Sequence, residues 1–423
     1  MKQTVINNKV TSDIKPFCSS LIPSDWTVFY LGELGTFSKG KGILKEQVIS
    51  EGLPCIRYGE IYTTHDFIIR NFKSFISGDV AIESKEIKSG DILFAGSGET
   101  IEEIGKAVAY IGNERAYAGG DVIILSTKKD LNPECLSYIL ETDFVRKQKR
   151  ILGQGNSVVH IYPNDLSKVR VPLPPLPEQR VIARILNTAE STIHTIEKLI
   201  TQKELCKKWL VQQLLTGKKR LQGFDGVWVE CKLVDLFERV TRKNTEGNTT
   251  IVTISAQRGF IRQTDFFKKN IASEITENYF LVKKGEFCYN KSYSNGYPWG
   301  TIKRLNGFDK AVVTTLYICF GVMDEKKANP DFFEQFFGAN LLDKGLTKIA
   351  HEGGRAHGLL NVTPSDFFSL KIAIPEYEEQ TAIAQVLQAA DKEISLLKLK
   401  VEKLKEKKKG LMQQLLTGRI RIK

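Results

Sequence analysis

The sequence predicts an α+β protein with two similar domains and two long helices that pair as an intramolecular antiparallel coiled coil. Three observations support this prediction. A segment ending in Gln-Gln-Leu-Leu-Thr-Gly occurs at residues 212–217 and again at 413–418, an offset of 201. Each copy follows a long stretch with apolar residues at alternating steps of four and three. The remaining residues form short apolar runs broken by Gly, Asp and Lys, which is typical of strands and short helices.

The duplication extends beyond the helices, with small insertions and deletions. Trp26 recurs as Trp228 and Gly90 as Gly285, offsets of 202 and 195. The chain is therefore an internal repeat with pseudo-twofold symmetry. We predict a lead-in segment at 1–22, a first domain at 23–170, a central helical region at 171–222, a second domain at 223–371 and a C-terminal helical region at 372–423.

Bulk composition narrows the class of protein. The 423 residues are 42% hydrophobic, enough for two domain cores. The chain lacks an apolar run long enough to span a membrane and lacks a signal sequence, so we expect a cytoplasmic protein without a membrane partner. Its seven cysteines are odd in number and never occur as Cys-x-x-Cys. This indicates buried thiols in a reducing compartment and argues against structural zinc.

The net charge of +12 suggests a polyanionic partner without identifying it. Basic residues are dense from residue 398 to the end of the chain. They can form the solvated outer face of a helix or a separate binding arm, and the pattern favours the helix face.

Within the domains, apolar runs predict strands, and Asn-Pro pairs predict helix starts. Asn132 and Pro133 occupy the positions favoured at a helix N-terminus, so we expect one helix from there towards Lys149. Asn329-Pro330 predicts its counterpart. The predicted strands of the first domain are 28–31, 91–95, 107–111 and 122–125.

The long helices follow proline-rich or proline-containing approaches. Prolines from 172 to 177 predict an extended segment, with the first helix beginning after Pro177. The first apolar seam comprises Ile182, Leu186, Ala189, Ile193, Ile196, Ile200, Lys203, Lys207, Leu210 and Leu214. The second comprises Ile383, Leu387, Ala390, Ile394, Leu397, Val401, Leu404, Lys408, Leu411 and Leu415.

The lysines of the seams decide the pairing direction. Parallel pairing would oppose Lys207 and Lys408, whereas antiparallel pairing sets each lysine against a small residue, Ala390 or Ala189, so that it can reach outwards to solvent. Helices of about 38 residues would be about 55 Å long. We expect this coiled coil to separate two domains that face a twofold-symmetric ligand such as duplex DNA. Simple dimerisation is the alternative use of such helices.

The sequence contains no complete motif of a known catalytic site. Gly35–Lys41 resembles the start of a phosphate-binding loop, but Gly42 replaces the Ser or Thr that holds magnesium. The chain has neither the Asn/Asp-Pro-Pro-aromatic motif of adenine methyltransferases nor a nuclease or helicase pattern. Its five histidines lack ligand spacing. We therefore expect a non-catalytic chain with no metal site and no cofactor of its own.

Three segments together closely resemble the DNA-specificity subunit of type I restriction-modification systems over essentially the whole chain. They are 159–166 (Val-His-Ile-Tyr-Pro-Asn-Asp-Leu), 171–179 (Val-Pro-Leu-Pro-Pro-Leu-Pro-Glu-Gln) and 214–217 (Leu-Leu-Thr-Gly), with their second copies. Residues 90–94 and 284–287 also resemble a strand-and-turn motif of that family's target recognition domains.

The resemblance implies that each target recognition domain reads one half of a bipartite double-stranded DNA site. It further implies that the helices set the half-site spacing and dock two methylation subunits, which use S-adenosylmethionine. Restriction subunits, which act as motor and nuclease, would use ATP and magnesium. The rival interpretation is a non-catalytic coiled-coil adaptor with two protein-binding domains, which would not discriminate among DNA sequences.

Residue types that suit DNA contacts lie in predicted loops of both domains. Lysine and arginine neutralise phosphates, whereas Arg, Asn and Gln can pair with purine edges. For any single residue an ordinary surface loop is the simpler interpretation, so the residues are candidates as a set. The candidates are Lys39, Lys41, Arg57, Tyr58, Tyr62, Ser97, Gln154, Asn156, Arg242, Lys243, Arg258, Lys291, Tyr293, Asn295, Arg355 and His357.

Overall fold

The computed structural model describes residues 14–18, 20–128, 130–155, 157–266, 276–294, 296–350 and 360–422. Short strands and helices alternate in each half of the chain, and each half ends in a long helix. The first half contains β1 (Ile14–Phe17), β2 (Ser20–Pro23), β3 (Thr27–Tyr30), α1 (Leu31–Leu34), β4 (Gly35–Lys39), β5 (Leu53–Ile56), α2 (Tyr58–Thr63), β6 (Ile68–Ile69), β7 (Ser74–Ile76), α3 (Gly78–Glu83), β8 (Lys85–Ile87), β9 (Asp91–Ala95), β10 (Ser97–Gly98), β11 (Ala107–Tyr110), β12 (Ala116–Ala118), β13 (Val122–Thr127), α4 (Pro133–Leu140), α5 (Asp143–Leu152), β14 (Val159–His160), α6 (Pro163–Leu166), β15 (Arg170–Leu173) and α7 (Leu176–Leu214).

The second half repeats this plan with fewer strands. It contains β16 (Val229–Lys232), β17 (Phe237–Arg239), β18 (Val252–Ser255), β19 (Gly259–Arg262), α8 (Gln263–Phe266), β20 (Phe280–Lys283), β21 (Phe287–Asn290), β22 (Thr301–Arg304), β23 (Lys310–Val313), β24 (Ile318–Val322), α9 (Pro330–Gly338), α10 (Asp343–Ile349), α11 (Pro364–Phe368), β25 (Lys371–Ile374) and α12 (Tyr377–Leu415).

The chain divides into two compact units that each take part of both long helices. The first unit comprises Met1–Glu197 and Lys400–Lys423, and the second comprises Lys198–Leu399. The first unit is therefore built from two separate stretches of chain, whereas the second is continuous. The domain boundaries expected from the sequence stay a prediction.

The first unit is organised around a five-stranded sheet in the order β4-β13-β9-β11-β6. Both faces of the sheet are buried, because alternate residues of β9 enter different cores. Ile92 and Phe94 pack in the core that also holds α4, whereas Leu93 and Ala95 pack in a second core. This explains why β9 reads as a continuous apolar run. A second sheet has the order β7-β5-β12-β8.

The second unit repeats the main sheet as β17-β24-β21-β22. These strands correspond in order to β4-β13-β9-β11, so the duplication seen in the sequence is also a duplication of topology. The turns before β9 and β21 agree as well, since Gly90 and Gly285 adopt φ values of 99° and 91°. A cluster of phenylalanine rings fills the core, with Phe237 contacting Phe287, Phe320 and Phe333 at centroid distances of 4.9 to 6.2 Å.

Three predictions about local structure need correction. The helix expected from Asn132 towards Lys149 is two helices, α4 and α5, because Thr142 is extended and its hydroxyl donates to the carbonyl of Ile139. α7 begins at Leu176, before Pro177, because a proline in the first turn needs no N–H. Among the cysteines expected to be buried, Cys18 and Cys206 are exposed.

Helices α7 and α12 pack as an antiparallel coiled coil. In the first unit Ile182 and Leu186 share a core with Leu415, and in the second unit Leu214 shares a core with Ile383 and Leu387. All the predicted seam residues are buried or partly buried. The predicted direction and register of pairing are thus confirmed in each unit.

Candidate nucleic-acid interface

In the first unit several loops meet at one end of the five-stranded sheet. Lys39, the last residue of β4, pairs with Ile123, and Ala95, the last residue of β9, pairs with Val122. Backbone hydrogen bonds tie the following loops together, including Gly96 N to the carbonyl of Asp121 at 2.8 Å. The segments 40–45, 96–106 and 119–121 therefore form one loop surface.

Most of the predicted residues of the first domain lie on or beside this surface. Ser97 is buried, and its hydroxyl lies 3.0 Å from Nδ1 of His160 across the β10–β14 pair. Gln154 exchanges backbone hydrogen bonds with the same histidine. Exposed Lys39 lies over the ring of Tyr162, 5.2 Å from its centroid. Lys41 is also exposed.

The hydroxyl of Tyr62 is buried and has no hydrogen-bond partner among the described residues. Burial raises the pKa of this phenol far above its ordinary value. A neutral, unpaired donor thus lies beneath the loop surface, next to Gly98, where a Cβ would come within 2.7 Å of the hydroxyl oxygen.

A cleft of about 630 Å³ adjoins the loop surface and contains two further predicted residues, Arg57 and Tyr58. The guanidinium Nη2 of Arg57 lies 3.6 Å from Oε1 of Glu60, and its Nε is buried without a partner among the described residues. Tyr58 is exposed at the rim. The arrangement leaves hydrogen-bond donors available to a ligand in the cleft.

In the second unit Lys291 and Tyr293 lie in the loop after β21. This strand corresponds to β9, and Ser97 follows β9 in the same way. Lys291 donates to the carbonyl of Val362 at 3.3 Å, and burial lowers its pKa. Tyr293 is exposed. The loop after β21 is thus the counterpart of the loop surface in the first unit.

The other candidates of the second domain differ in their contacts. Arg242 donates to the carbonyl of Leu281 and to both carboxylate oxygens of Glu286, at 2.9 to 3.3 Å. Lys243 donates to the carbonyl of Asn278 at 2.7 Å. Arg258 is exposed and lines a separate cleft of about 440 Å³ together with Lys207 of α7. Asn156 of the first domain and Asn295, Arg355 and His357 of the second lie outside the described residues.

Ion pairs between the long helices repeat with their partners exchanged. Lys207 of α7 pairs with Asp391 at 2.5 Å, and Lys408 of α12 pairs with Glu190. Lys408 does not reach outwards as predicted. Its side chain is 11% exposed and lies over the ring of Phe67, 4.4 Å from the centroid, because the first domain covers this face of α12.

A second reciprocal pair fixes the start of each helix, and sequence reasoning missed it. Arg220 donates to both oxygens of Glu379 at 2.6 Å, and Arg421 donates to both oxygens of Glu178 at 2.9 Å. Arg421 also donates to both carboxylate oxygens of Asp25, and its hydrogen bonds to the carboxylates of Glu178 and Asp25 raise its pKa. The shared offset of 201 between the two pairs was the signal that could have identified them.

The repeated glutamines and glycines also have structural roles. Gln179 accepts from Asn132 N and donates to the carbonyl of Pro174, and Gln380 makes the same two bonds to Asn329 and Pro375. Each glutamine joins the start of a long helix to the Asn-Pro turn of its domain. Gly217 and Gly418, with φ of 66° and 69°, end the helices in a left-handed turn.

Among the residues that the structure describes, no group of three or more His, Cys, Asp or Glu side chains could hold a metal ion. No helix in this part of the chain is both long and apolar enough to cross a membrane.

Comparisons with known proteins agree with the repeat. The family model of the type I restriction modification DNA specificity domain matches residues 23–204 and 227–406. The chain is 28% identical, over 435 aligned positions and 95% of each chain, to the putative type I restriction enzyme MjaX specificity subunit of Methanocaldococcus jannaschii. It is 22% identical to the EcoKI specificity subunit of Escherichia coli K12, over 86% of this chain and 82% of the relative.

Solved structures share the fold at low identity. The S subunit of a type I restriction-modification system from M. genitalium matches with a TM-score of 0.57 and 15% identity, covering 92% of this chain and 96% of that one. The HsdS subunit from Thermoanaerobacter tengcongensis matches with a TM-score of 0.50 and 18% identity, covering 94% and 98%.

Proposed function

Because the chain belongs to the type I restriction modification DNA specificity family, we propose that it is the subunit that selects the DNA target of a restriction-modification complex. Each domain reads one half of an interrupted double-stranded site. The chain carries no catalytic centre of its own. Methylation subunits bring S-adenosylmethionine chemistry, and restriction subunits bring ATP- and magnesium-dependent chemistry.

The observation that carries this proposal is the reciprocity of the two repeats. The pairs Arg220–Glu379 and Arg421–Glu178 are the same contact with the repeats exchanged, as are Lys207–Asp391 and Lys408–Glu190. An internally twofold protein suits a ligand with two equivalent halves, and duplex DNA is such a ligand. The differing loops supply different base readers in each half.

The coiled coil supports docking of the two methylation subunits. Several large apolar side chains on its helices are exposed, which marks protein-interaction surfaces on helices of otherwise polar character. They are Leu199, Leu205 and Trp209 of α7 with Leu396 and Leu399 of α12.

The decisive test is adenine-methylation mapping of genomic DNA from cells that carry this chain with its partner subunits. A second strain carries the same chain with residues 223–371 replaced by the corresponding block of another family member. We expect a bipartite methylated motif in which the replacement changes one half. If both halves change, the assignment of one domain to one half-site is wrong.

The adaptor interpretation makes a different prediction for the same experiment. It expects no methylated motif that depends on this chain, even with active partners. It also expects equal affinity for all DNA sequences, with a salt dependence that reports phosphate contacts alone.

A further inference from the structure

We propose that the cleft of the first domain binds the major-groove edge of a G·C base pair, with Arg57 contacting the guanine. The inference rests on the proposed function and assigns a base to one position of the first half-site. The cleft is bounded by residues 42–45, 57–60, 63 and 119–121. These segments belong to the loop surface or border it.

The main chain of Arg57 is fixed on both sides. Its N–H donates to Oε2 of Glu60 at 3.1 Å, and its carbonyl accepts from Glu60 N at 3.0 Å. Ser74 in turn donates to Oε1 of the same glutamate. The arginine therefore projects from a rigid base, as precise reading of a base edge requires.

The guanidinium of Arg57 retains unused donors. Its distance to Glu60, 3.6 Å, is longer than a hydrogen bond, and its buried Nε has no partner among the described residues. A buried donor without a partner is costly, and a ligand acceptor removes that cost. The O6 and N7 atoms of guanine present two such acceptors to an arginine.

Other arginines of the chain differ from Arg57 in this respect. Arg242 bonds Glu286, Arg304 bonds Asp331, and Arg421 bonds both Glu178 and Asp25, all within 3.3 Å. These guanidinium groups hold elements of the fold together. Arg57 combines a fixed backbone, a lining position in a cleft and unmet donors.

The opposite wall of the cleft permits close approach. Gly42 and Ile43 both have positive φ, 67° and 61°, and Gly120 N donates to the carbonyl of Gly42 at 3.2 Å. A left-handed isoleucine is strained, and such strain persists where the surrounding structure holds it, often at functional sites. Leu44 is exposed at the rim beside Tyr58 and offers apolar contact.

The charges of the cleft favour a base pair over a phosphate. Glu60 and Asp121 line it together with Arg57 and Lys45. Carboxylates repel a phosphate, whereas a G·C pair presents acceptors on guanine and an amino donor on cytosine. A site with both a guanidinium and carboxylates therefore matches this edge.

The experiment is methylation mapping of the whole complex with Arg57→Ala and Arg57→Gln, with Arg115→Ala as the control. Arg115 lies in the same unit and pairs with Glu86 on the surface. We expect Arg57→Ala to relax one G·C position of one half-site, with a loss of preference of roughly 5- to 150-fold. Arg57→Gln should shift that position towards adenine, the base that glutamine reads. The complex that carries Arg115→Ala should methylate the same motif as the wild-type complex.

Three outcomes overturn the assignment. The first is an unchanged motif together with a fall in affinity and a drop of about 0.9 in the log–log salt slope, which identifies a phosphate contact. The second is that the position relaxed in Arg57→Ala is an A·T pair. The third is that Arg57→Gln, whose side chain preserves the stem, keeps full preference for guanine. If the wild-type complex yields no motif at all, the proposed function itself fails, and this result is distinct from the other three.

Discussion

Replacing Arg421 by alanine is expected to destabilise the first domain, although the residue lies near the C-terminus. Arg421 donates to both oxygens of Glu178 and to both oxygens of Asp25, at 2.6 to 2.9 Å. Glu178 is 5% exposed, so the substitution leaves a buried carboxylate without its cationic partner.

The magnitude follows from these contacts. Removing one partner of a buried ion pair costs about 3–5 kcal/mol. The half-exposed Asp25 contributes about 1 kcal/mol or less. The indole of Trp26 still donates to Glu178 at 3.3 Å and moderates the loss. We therefore expect the first unit to lose about 3 kcal/mol.

Hydrogen exchange followed by mass spectrometry measures this loss locally. In Arg421→Ala, the amides of β3 and β15 should exchange on the order of 100-fold faster, since 1.4 kcal/mol is a factor of ten. Arg220→Ala is the matched control, because Arg220 makes the equivalent pair with Glu379 in the second unit. It should accelerate exchange in β16 and β25 and leave β3 and β15 unchanged.

If Arg421→Ala leaves exchange in the first unit unchanged, or if both variants accelerate exchange in the same strands, the Arg421–Glu178 pair does not stabilise the first unit in the way expected here. A double-mutant cycle with Glu178→Gln adds a further requirement. The two substitutions together should cost less than the sum of each alone, because they remove one shared interaction.

Three further predictions concern stability and its dependence on pH. Gly418→Ala should lower the free energy of unfolding by about 2 kcal/mol or more, since φ is 69° and the added Cβ would clash with the ring of Pro23. Gly410→Ala, in an open helical site, should raise the free energy of unfolding by about 1 kcal/mol. Equal effects of the two substitutions in denaturant titrations would contradict this. Lys408→Ala should lower the free energy of unfolding by about 3 kcal/mol and Lys207→Ala by under about 1 kcal/mol, because the Lys408 side chain is 11% exposed and the Lys207 side chain 25%. The same titrations check that Lys408→Ala has the larger effect. Burial lowers the pKa of His65 below its ordinary value of 6.5, so the unfolded chain binds a proton at this imidazole more readily than the folded chain does. The stability of the first unit should therefore fall as pH drops below 6.5. His65→Gln should flatten the dependence of melting temperature on pH in that range, and an unchanged slope would count against a role for His65.

The sequence alone predicted the frame of the molecule because its determinants are local and repeated. Apolar periodicity identified the seam, and the matching of Lys207 with Ala390 identified the antiparallel direction, which the structure confirms. The run 91–95 predicted β9 with its observed bounds, because both faces of that strand are buried. The Asn-Pro pairs located the starts of α4 and α9.

The remaining features depend on contacts distant in the chain. Arg421 and Asp25 are 396 residues apart, so no local pattern links them. The helix break at Thr142 depends on a hydroxyl bond that competes with the helix, and the burial of Lys408 depends on Phe67 from another element. Residue type also could not separate Arg57 from Arg242, since the difference is whether a carboxylate lies within hydrogen-bond distance of the guanidinium.

The discontinuous first unit has a consequence for biosynthesis. Its core includes Leu415 and Leu416, which a ribosome makes after every other element of that unit. At 5–20 residues per second, roughly 10–50 s pass between synthesis of β15 and of these leucines. We expect the second unit, a continuous stretch, to fold without the residues that follow it, whereas the first unit stays incomplete until those residues are made. Released chains truncated after Leu399 should therefore be cut by protease within residues 23–173 and be protected in the second unit; the reverse pattern would show that the first domain folds without its final helix.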